Sequence, residues 1–318
     1  MKQKIVCLLR LTDEEKEAYR QAVGENEIIF TKDSEYNNIC PVDEDLVKDA
    51  DVIMGWIPAS LLPAAKNLKW MQAQSSGVDH YMVPGLLKEG AMLSSATGAY
   101  GLSVAEHMFA MMLAVMKNLP VYRDQQNAHI WADAGMVKSP KGEDILILGT
   151  GDLGSTFAGY CKAFGAHTIG VRRDPSKPAA GIDEMHGMDE LDELVKKADV
   201  ICCMLPHIEE MTHYFDYDRL MSMKKDAIFM NGGRGSICNN EDLNRVLEEG
   251  HLWGAAVDTP EQEPMPENAV LWSQKRVLLT PHIAGGDHLD DTLRKIAAIG
   301  LDNLKRYLAG EPIRNRKV

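Results

Sequence analysis

Three residues in the last third of the chain have side chains suited to acid–base chemistry on an anionic substrate. Each follows a short apolar run typical of a strand: Arg234 follows 228–231, Glu263 follows 254–257 and His282 follows 277–280. A guanidinium binds a carboxylate through two parallel hydrogen bonds and polarises a neighbouring carbonyl. An imidazole, whose ordinary pKa is about 6.5, donates and recovers protons, and a glutamate beside it favours its protonated form. These residue types indicate a site that holds a carboxylate and moves a proton.

A glycine motif in the middle of the chain indicates a nucleotide site. The segment 149–154 reads G-T-G-D-L-G, and it follows an apolar run and opens a helix pattern at 153–164. Gly149 permits the tight turn, Gly151 lets backbone approach a pyrophosphate, and Gly154 lets helix and strand pack closely. The residues expected to contact the nucleotide here are Gly149, Gly151, Asp152, Leu153 and Gly154. The alternative is a glycine-rich turn without a ligand.

The next predicted strand, 168–171, bears on which nucleotide is bound. An NAD site requires an acidic residue about 20 residues after the motif, to accept from the ribose hydroxyls. The strand instead ends in Arg172 and Arg173, which would attract a 2′-phosphate. The sequence therefore predicts NADP(H) in preference to NAD(H), with NAD(H) as a second cofactor. The alternative is that Asp174 serves the ribose and both arginines are surface residues.

Each of the three acid–base candidates also has an ordinary structural explanation. Lone arginines mostly form surface salt bridges, and a histidine after a proline often just ends a strand. Glu263 lies in the acidic, proline-containing stretch 261–267, which is typical of a solvated loop. In this order after a nucleotide motif, the three together favour catalysis. With a hydride from a nicotinamide, they would reduce a 2-keto acid.

The elements that must position these side chains alternate between apolar runs and helix patterns. The predicted strands are 5–9, 51–56, 68–72, 92–95, 145–149, 168–171, 200–205, 228–231, 254–257 and 277–280, and the predicted helices include 12–23, 104–117, 153–164, 240–249 and 290–308. Continuous apolar strands alternating with helices predict an α/β fold of doubly wound parallel sheets, whose carboxyl ends bind ligands. The segment 103–116 is nearly uncharged, which predicts a buried helix near a domain boundary.

Composition narrows the class of protein. The chain has 318 residues, which favours two domains, and a formal net charge of −13, which argues against nucleic-acid and membrane partners. The apolar run 5–9 is too short for a signal peptide. The six cysteines (Cys7, Cys40, Cys161, Cys202, Cys203 and Cys238) form no C-x-x-C pair and are expected to be buried reduced thiols. We expect a cytoplasmic protein without a metal site.

Over essentially its whole length the chain resembles the D-isomer-specific 2-hydroxyacid dehydrogenase family. The matching motifs are G-T-G-D-L-G at 149–154, N-G-G-R-G at 231–235, D-x-x-x-x-E-P at 258–264 and T-P-H-I-A-G at 280–285. The resemblance implies that Arg234 binds substrate, His282 is the acid/base and Glu263 is its partner. It also implies that Asp258 contacts the nicotinamide carboxamide. The other residues predicted to contact the cofactor are Leu205, Pro206, Gly232, His282 and Gly285.

The resemblance extends to the N-terminal half. The loop 75–79, with Ser76 and Gly77, looks like the family's substrate loop, and its N–H groups suit an anion. Tyr100 either lines the substrate pocket or packs. The resemblance implies a flavodoxin-like substrate domain, 1–102 plus 283–318, and a Rossmann cofactor domain, 103–282. It also implies a homodimer, in which Trp131 either reaches the partner's active site or packs at the core or dimer interface.

These observations predict an NADP(H)-preferring D-2-hydroxyacid dehydrogenase that acts as a 2-keto acid reductase. One alternative is a relative that oxidises formate or phosphite, although formate oxidation needs no acid/base pair. Another is a nucleotide-sensing co-regulator on the same fold. A third is an L-specific or unrelated Rossmann dehydrogenase.

Overall fold

The computed structural model describes residues 2–31 and 42–318, and the predicted buried thiol Cys40 lies outside them. The chain forms two compact units, Met1–Tyr100 with Asp287–Val318, and Gly101–Gly286, which we call unit 1 and unit 2. In the described part of the chain the strands are β1 (Lys4–Cys7), β2 (Glu27–Phe30), β3 (Val52–Met54), β4 (Trp70–Gln72), β5 (Met92–Ser94), β6 (Asp144–Leu148), β7 (His167–Val171), β8 (Glu184–His186), β9 (Val200–Cys203), β10 (Ile228–Asn231), β11 (Gly254–Val257) and β12 (Val277–Leu279). The α-helices are α1 (Asp13–Val23), α2 (Glu44–Val47), α3 (Gly101–Met116), α4 (Leu119–Asn127), α5 (Asp152–Ala163), α6 (Leu191–Val195), α7 (Tyr217–Ser222), α8 (Asn240–Glu248) and α9 (Asp290–Ala309).

Unit 1 is built on a five-stranded parallel sheet. Its strand order is β2-β1-β3-β4-β5, the flavodoxin-like order that was expected. The C-terminal segment completes the unit, because α9 packs against α1 and the Tyr19 hydroxyl donates to the Ala297 carbonyl at 2.8 Å. The chain end also hydrogen-bonds to β5, where the Lys317 N–H donates to the Leu93 carbonyl at 2.8 Å.

Unit 2 is built on a seven-stranded parallel sheet. Its strand order is β12-β11-β10-β9-β6-β7-β8, a Rossmann order with one further strand. The order reverses between β6 and β9, and doubly wound sheets bind ligands outside the carboxyl ends of the strands at such a point. The predicted buried helix, α3, packs against α5 and β11 of the same unit. The predicted α/β class with two doubly wound parallel sheets is confirmed.

All ten predicted strands are present, but two others were not predicted. β2 and β8 are edge strands of their sheets, and both are only partly buried. An edge strand with few buried positions lacks the continuous apolar run that indicated the central strands. The short helix α4 was also not predicted, and it overlaps the start of the polar stretch 123–142.

The unit boundaries differ by a few residues from those predicted. The resemblance implied boundaries after 102 and 282, whereas the chain passes from one unit to the other after Tyr100 and after Gly286. The first difference arises because α3 begins at Gly101. The second arises because Ala284 is held inside unit 2, where its N–H donates to the Asp258 carboxylate and its carbonyl accepts from the Ser103 hydroxyl. Among the described residues, no helix is both long and apolar enough to cross a bilayer.

Candidate active site

The glycine motif forms a turn that other residues would not fit. Gly149, directly after β6, has a φ of 93°, a left-handed value that favours glycine. Its N–H donates to the Val171 carbonyl at 2.9 Å, which ties the turn to β7. A Cβ atom at Gly154 would overlap the Gly149 carbonyl oxygen, so the first turn of α5 can approach the strand only with glycine there.

The N-terminus of α5 offers a site for an anion. Helices α1, α7 and α8 are each capped by a side chain, those of Thr12, Asp216 and Asn239. The corresponding residue of α5 is Gly151, which has no capping side chain and no heavy atom within 4 Å of where its Cβ would lie. This open space beside the N-terminus of a 12-residue helix fits the pyrophosphate of a dinucleotide.

The end of β7 carries positive charge. The Arg172 backbone N–H donates to the His186 carbonyl at 3.2 Å, and its guanidinium donates to the Lys177 carbonyl at 3.2 Å. The Asp174 carboxylate accepts from the Ser176 hydroxyl at 2.6 Å and pairs with Lys177 at 3.1 Å. The hydrogen bond from Ser176, together with Lys177, lowers the pKa of Asp174. Both carboxylate oxygens of Asp174 therefore already have partners within the loop, although a ribose hydroxyl would need one of them as its acceptor.

Glu263 and His282 form a hydrogen-bonded pair. Glu263 Oε2 lies 2.8 Å from His282 Nδ1, and the two side chains are 41% and 47% exposed. His282 has a φ of 51°, a left-handed conformation unusual for a histidine. The hydrogen bond to Glu263 raises the pKa of His282, and the charge of Asp258 acts in the same direction, whereas burial and the charge of Arg234 oppose the increase.

Arg234 is positioned by the loop that follows β10. It precedes the short 3-10 helix Gly235–Ile237, and its guanidinium donates to the Gly233 carbonyl at 2.9 Å. A Cβ atom at Gly235 would overlap the Pro260 carbonyl oxygen, so this loop lies directly against the segment that carries Glu263. The structure thus brings the three predicted catalytic residues to neighbouring loops at the carboxyl ends of β10, β11 and β12.

Asp258 is a buried anchor for the turn that contains His282. It is 1% exposed, and its carboxylate accepts from the Thr280 hydroxyl at 2.6 Å and from the Ile283 N–H at 3.0 Å. Its backbone carbonyl accepts from the His282 N–H at 2.8 Å. Asp258 therefore fixes the backbone before and after His282.

Of the remaining predicted cofactor residues, Leu205 lies beside the motif, because a Cβ at Gly149 would be 3.2 Å from Leu205 Cδ2. A Cβ at Gly233 would lie 2.6 Å from the Leu205 carbonyl oxygen, and one at Gly232 would lie 2.7 Å from Met108 Sδ. The β9 and β10 loops are thus closely packed. Pro206 is exposed, and Gly285 is half-buried.

Apart from Arg234, the predicted substrate residues Ser76, Gly77 and Tyr100 belong to unit 1. The Ser75 hydroxyl donates to the Gly77 carbonyl at 2.7 Å, and the Ser76 hydroxyl lies 3.4 Å from that of Thr97. Tyr100 is 6% exposed, and its hydroxyl donates to the Gln74 carbonyl at 2.6 Å, so it packs beneath this loop. Burial raises the pKa of Tyr100 well above its usual range.

Two polar residues near the pair were not predicted from the sequence. His107 Nε2 lies 3.0 Å from the Thr280 hydroxyl, which in turn donates to Asp258. Asn231, at the end of β10, is 1% exposed and donates from its side chain to two backbone carbonyls. The sequence did offer a signal for each, because His107 lies in a nearly uncharged helix pattern and Asn231 ends an apolar strand. A polar residue in such a setting is expected to be hydrogen-bonded.

An apolar cavity of about 600 Å³ adjoins the pair within unit 2. It is lined by Pro260, Glu263, Pro264, Met265, Trp272, Leu279, Thr280, Pro281 and His282. The indole N–H of Trp272 donates to the Pro266 carbonyl at 2.8 Å, which orients its ring. No cluster of three or more residues able to hold a metal ion occurs within 2–31 and 42–318.

Known proteins resemble the chain in sequence and structure. Residues 109–284 match the family model described as D-isomer specific 2-hydroxyacid dehydrogenase, NAD binding domain. A glyoxylate reductase of Thermofilum pendens is 29% identical over 83% of the chain and 80% of that protein. A glyoxylate/hydroxypyruvate reductase B of Yersinia pestis is 29% identical over 80% of the chain and 79% of that protein. A crystal structure of a D-isomer specific 2-hydroxyacid dehydrogenase family protein from Aeromonas salmonicida has a TM-score of 0.84 and 29% identity, covering 100% of the chain and 99% of that protein.

Proposed function

The chain belongs to the D-isomer specific 2-hydroxyacid dehydrogenase family, and from this premise we propose that it reduces a small 2-keto acid to the D-2-hydroxy acid with a preference for NADPH. As a family member it transfers a hydride between a nicotinamide cofactor and a 2-keto or 2-hydroxy acid. The observation that carries the proposed direction of proton transfer is the 2.8 Å contact between Glu263 and His282. A charged imidazole beside an arginine suits a reaction that protonates a carbonyl oxygen next to a carboxylate.

Arg234, Glu263 and His282, which we call the triad, each have a separate role in the proposed mechanism. Arg234 binds the substrate carboxylate and polarises the C2 carbonyl. A nicotinamide cofactor held beside the motif 149–154 would supply the hydride that reduces C2. His282 donates its Nε2 proton to the carbonyl oxygen, so that the keto group becomes a hydroxyl and the imidazole becomes neutral. Glu263 accepts from Nδ1–H, which fixes the ring and stabilises the imidazolium before transfer. Oxidation of the hydroxy acid reverses these steps.

The proposed NADPH preference rests on the end of β7. Arg172 and Arg173 supply two guanidiniums where a 2′-phosphate would lie, and Asp174 is paired with Ser176 and Lys177. A carboxylate that is already paired is poorly placed to accept from a ribose. NAD(H) remains a usable cofactor in this proposal, because the pyrophosphate site is common to both.

The family resemblance extends the proposed substrate-binding set to Ser76, Gly77 and Tyr100 of unit 1. The cofactor-binding role of Asp258 is likewise part of the proposal. We also propose that unit 1 binds the substrate and that unit 2 binds the cofactor.

The proposed reaction is tested by assaying a panel of 2-keto acids with NADPH and with NADH. Glyoxylate, hydroxypyruvate, pyruvate and a branched 2-keto acid cover the size range. We expect loss of reduced-nicotinamide absorbance with at least one of them, a D product, and a higher kcat/KM with NADPH. Turnover of formate or phosphite alone, an L product, or peptide binding without any turnover would replace this proposal with one of its rivals.

We also propose that the protein is a homodimer. The stretch 119–137 of unit 2 exposes several large apolar side chains, which are Leu119, Ile130, Trp131, Met136 and Val137. Trp131 is fully exposed in the single chain, and such patches commonly become covered by a partner. A cytoplasmic location is part of the same proposal, since the five described cysteines are free and buried and suit a reducing compartment.

A further inference from the structure

Asn231 is a buried polar residue that none of the proposed chemical steps uses. It closes β10 and is 1% exposed, and its neighbours along the strand are apolar. A buried amide costs free energy unless its donors and acceptor are satisfied. Here its Nδ2 group donates to the carbonyls of Arg234 at 3.0 Å and Thr259 at 3.1 Å, and its Oδ1 accepts from the Gly233 N–H at 3.2 Å. Both donors and the acceptor are therefore occupied.

The two carbonyls belong to the two loops that must be in register for the reaction. One is the backbone carbonyl of Arg234 itself, and the other lies four residues before Glu263. The backbone carbonyl of Asn231 also accepts from the Asp258 N–H at 2.9 Å. The side chain of Asn231 thus joins the loop that carries Arg234 to the segment that leads to Glu263.

We propose that Asn231 is the positioning residue that sets the spacing between Arg234 and the Glu263–His282 pair. This inference rests on the proposed function, because the spacing matters only if these groups act on one substrate. Asn231 acts through backbone carbonyls and not by contact with substrate. Misplacement of a catalytic group by about 1 Å costs on the order of 100-fold in rate, so a single clamp of this kind has a large effect.

The fold does not depend on this clamp alone. β10 remains paired with β9 and β11 through its backbone. The segment that carries Glu263 is also held at the surface by residues outside the Arg234 loop, where His213 Nε2 lies 2.7 Å from Glu261 Oε1 and the N–H of Asn240, the first residue of α8, donates to Glu261 Oε2 at 3.1 Å. We therefore expect Asn231 variants to fold with the two loops still adjacent but less accurately aligned.

The chain contains a matched control for this residue in unit 1. Asn303 is 0% exposed, and its Nδ2 donates to Gln72 Oε1 at 2.7 Å and to the Arg314 carbonyl at 3.0 Å. Its Oδ1 accepts from the Arg314 N–H at 2.7 Å. Substitution of Asn303 removes the same kinds of hydrogen bond without touching the loops of Arg234 or Glu263.

The experiment compares Asn231→Ser and Asn231→Asp with Asn303→Ser. For Asn231→Ser we expect kcat with the best 2-keto acid to fall by about 10- to 100-fold while the Kd for NADPH stays within about threefold. Asn231→Asp, which faces two carbonyls with a carboxylate, should lose more. Asn303→Ser should lower Tm comparably and leave kcat within about twofold. A kcat for Asn231→Ser equal to that of wild type, or equal losses in both serine variants, overturns the inference.

A second measurement does not require turnover. The charges that act on His282 are Glu263 and Asp258, which raise its pKa, and Arg234, which lowers it. If the Asn231 clamp holds Arg234 in place, loosening it weakens the opposing charge, and the His282 resonance in an NMR titration should shift to a higher pKa in Asn231→Ser. Asn303→Ser should titrate like wild type. An unchanged His282 titration in Asn231→Ser overturns the inference, even if the wild-type protein reduces no keto acid. If the titration shifts but the wild-type protein shows no turnover, only the proposed function is contradicted.

Discussion

The Glu263–His282 pair shows how one residue obtains its chemistry from the fold around it. His282 has a left-handed backbone, and Asp258 holds the turn through one backbone carbonyl and one carboxylate. The ring is half exposed, so substrate has access to it, yet Nδ1 is held by a carboxylate. The result is a histidine oriented by its neighbours and stabilised in its protonated form.

The pH dependence of the reaction follows from this pair. The pKa of His282 is raised, mainly by the hydrogen bond to Glu263, and reduction requires the protonated ring. Reduction should therefore be fast below that pKa and decline as pH rises through it, and oxidation should show the opposite trend. In Glu263→Gln the pKa falls, so the decline in reduction should move to lower pH and kcat should drop by about 10- to 100-fold. Superimposable pH–rate profiles for wild type and variant would contradict the pairing.

Cofactor choice is predicted to depend on the charge at the end of β7, where Arg172 and Arg173 lie. Arg172→Asp should lower kcat/KM with NADPH and raise it with NADH, changing their ratio by about 100-fold, because a carboxylate repels a 2′-phosphate and accepts from a ribose. Arg20→Asp, an exposed arginine of unit 1 paired with Glu17, is the charge-matched control and should leave the ratio unchanged. The same ratio in Arg172→Asp as in wild type argues for Asp174 at the ribose.

At the scale of elements, the apolar pattern of the sequence was sufficient to predict the central strands but missed two edge strands. β6, β9, β10 and β11 are buried on both faces and appear as continuous apolar runs. β2 and β8 lie at sheet edges and have no fully buried position, so burial does not require a continuous apolar run in their sequences. The glycine motif, Arg234 and Glu263 could be predicted because they follow central strands, and His282 because the edge strand β12 is still a short apolar run. Asn231 could not, because its role depends on carbonyl directions that only tertiary structure defines.

Two glycines of the motif should respond differently to the same substitution. At Gly151 a methyl group meets nothing within 4 Å, so Gly151→Ala should fold normally. The methyl would fill space that the pyrophosphate needs, and we expect the Kd for NADPH to rise by about 10-fold or more. At Gly154 the methyl overlaps the Gly149 carbonyl, so Gly154→Ala should lose about 1–3 kcal/mol of stability. Thermal unfolding and cofactor fluorescence distinguish the two, and identical behaviour would refute the assignment.

At the scale of the whole molecule, charge and surface composition point in different directions. A net charge of −13 keeps copies of the chain apart at long range. The stretch 119–137 nevertheless exposes five large apolar side chains, which favours one specific contact over general association.

Oligomeric state is therefore a direct test of this surface. A double variant, Trp131→Ser with Met136→Ser, should shift the mass measured by light scattering from a dimer toward a monomer. Val83→Ser removes an exposed apolar residue of unit 1, 53% accessible, and should leave the mass unchanged. A wild-type monomer would remove the proposed dimer without affecting the chemistry.

The discontinuity of unit 1 has a consequence for how the protein is made. Residues 101–286 form unit 2 from one continuous segment of the chain. Unit 1, in contrast, is complete only when α9 and the C-terminal tail beside β5 have been synthesised. Unit 2 should thus fold while unit 1 is still incomplete, which leaves the apolar surface beneath α9 available to chaperones until residues 290–318 have been synthesised.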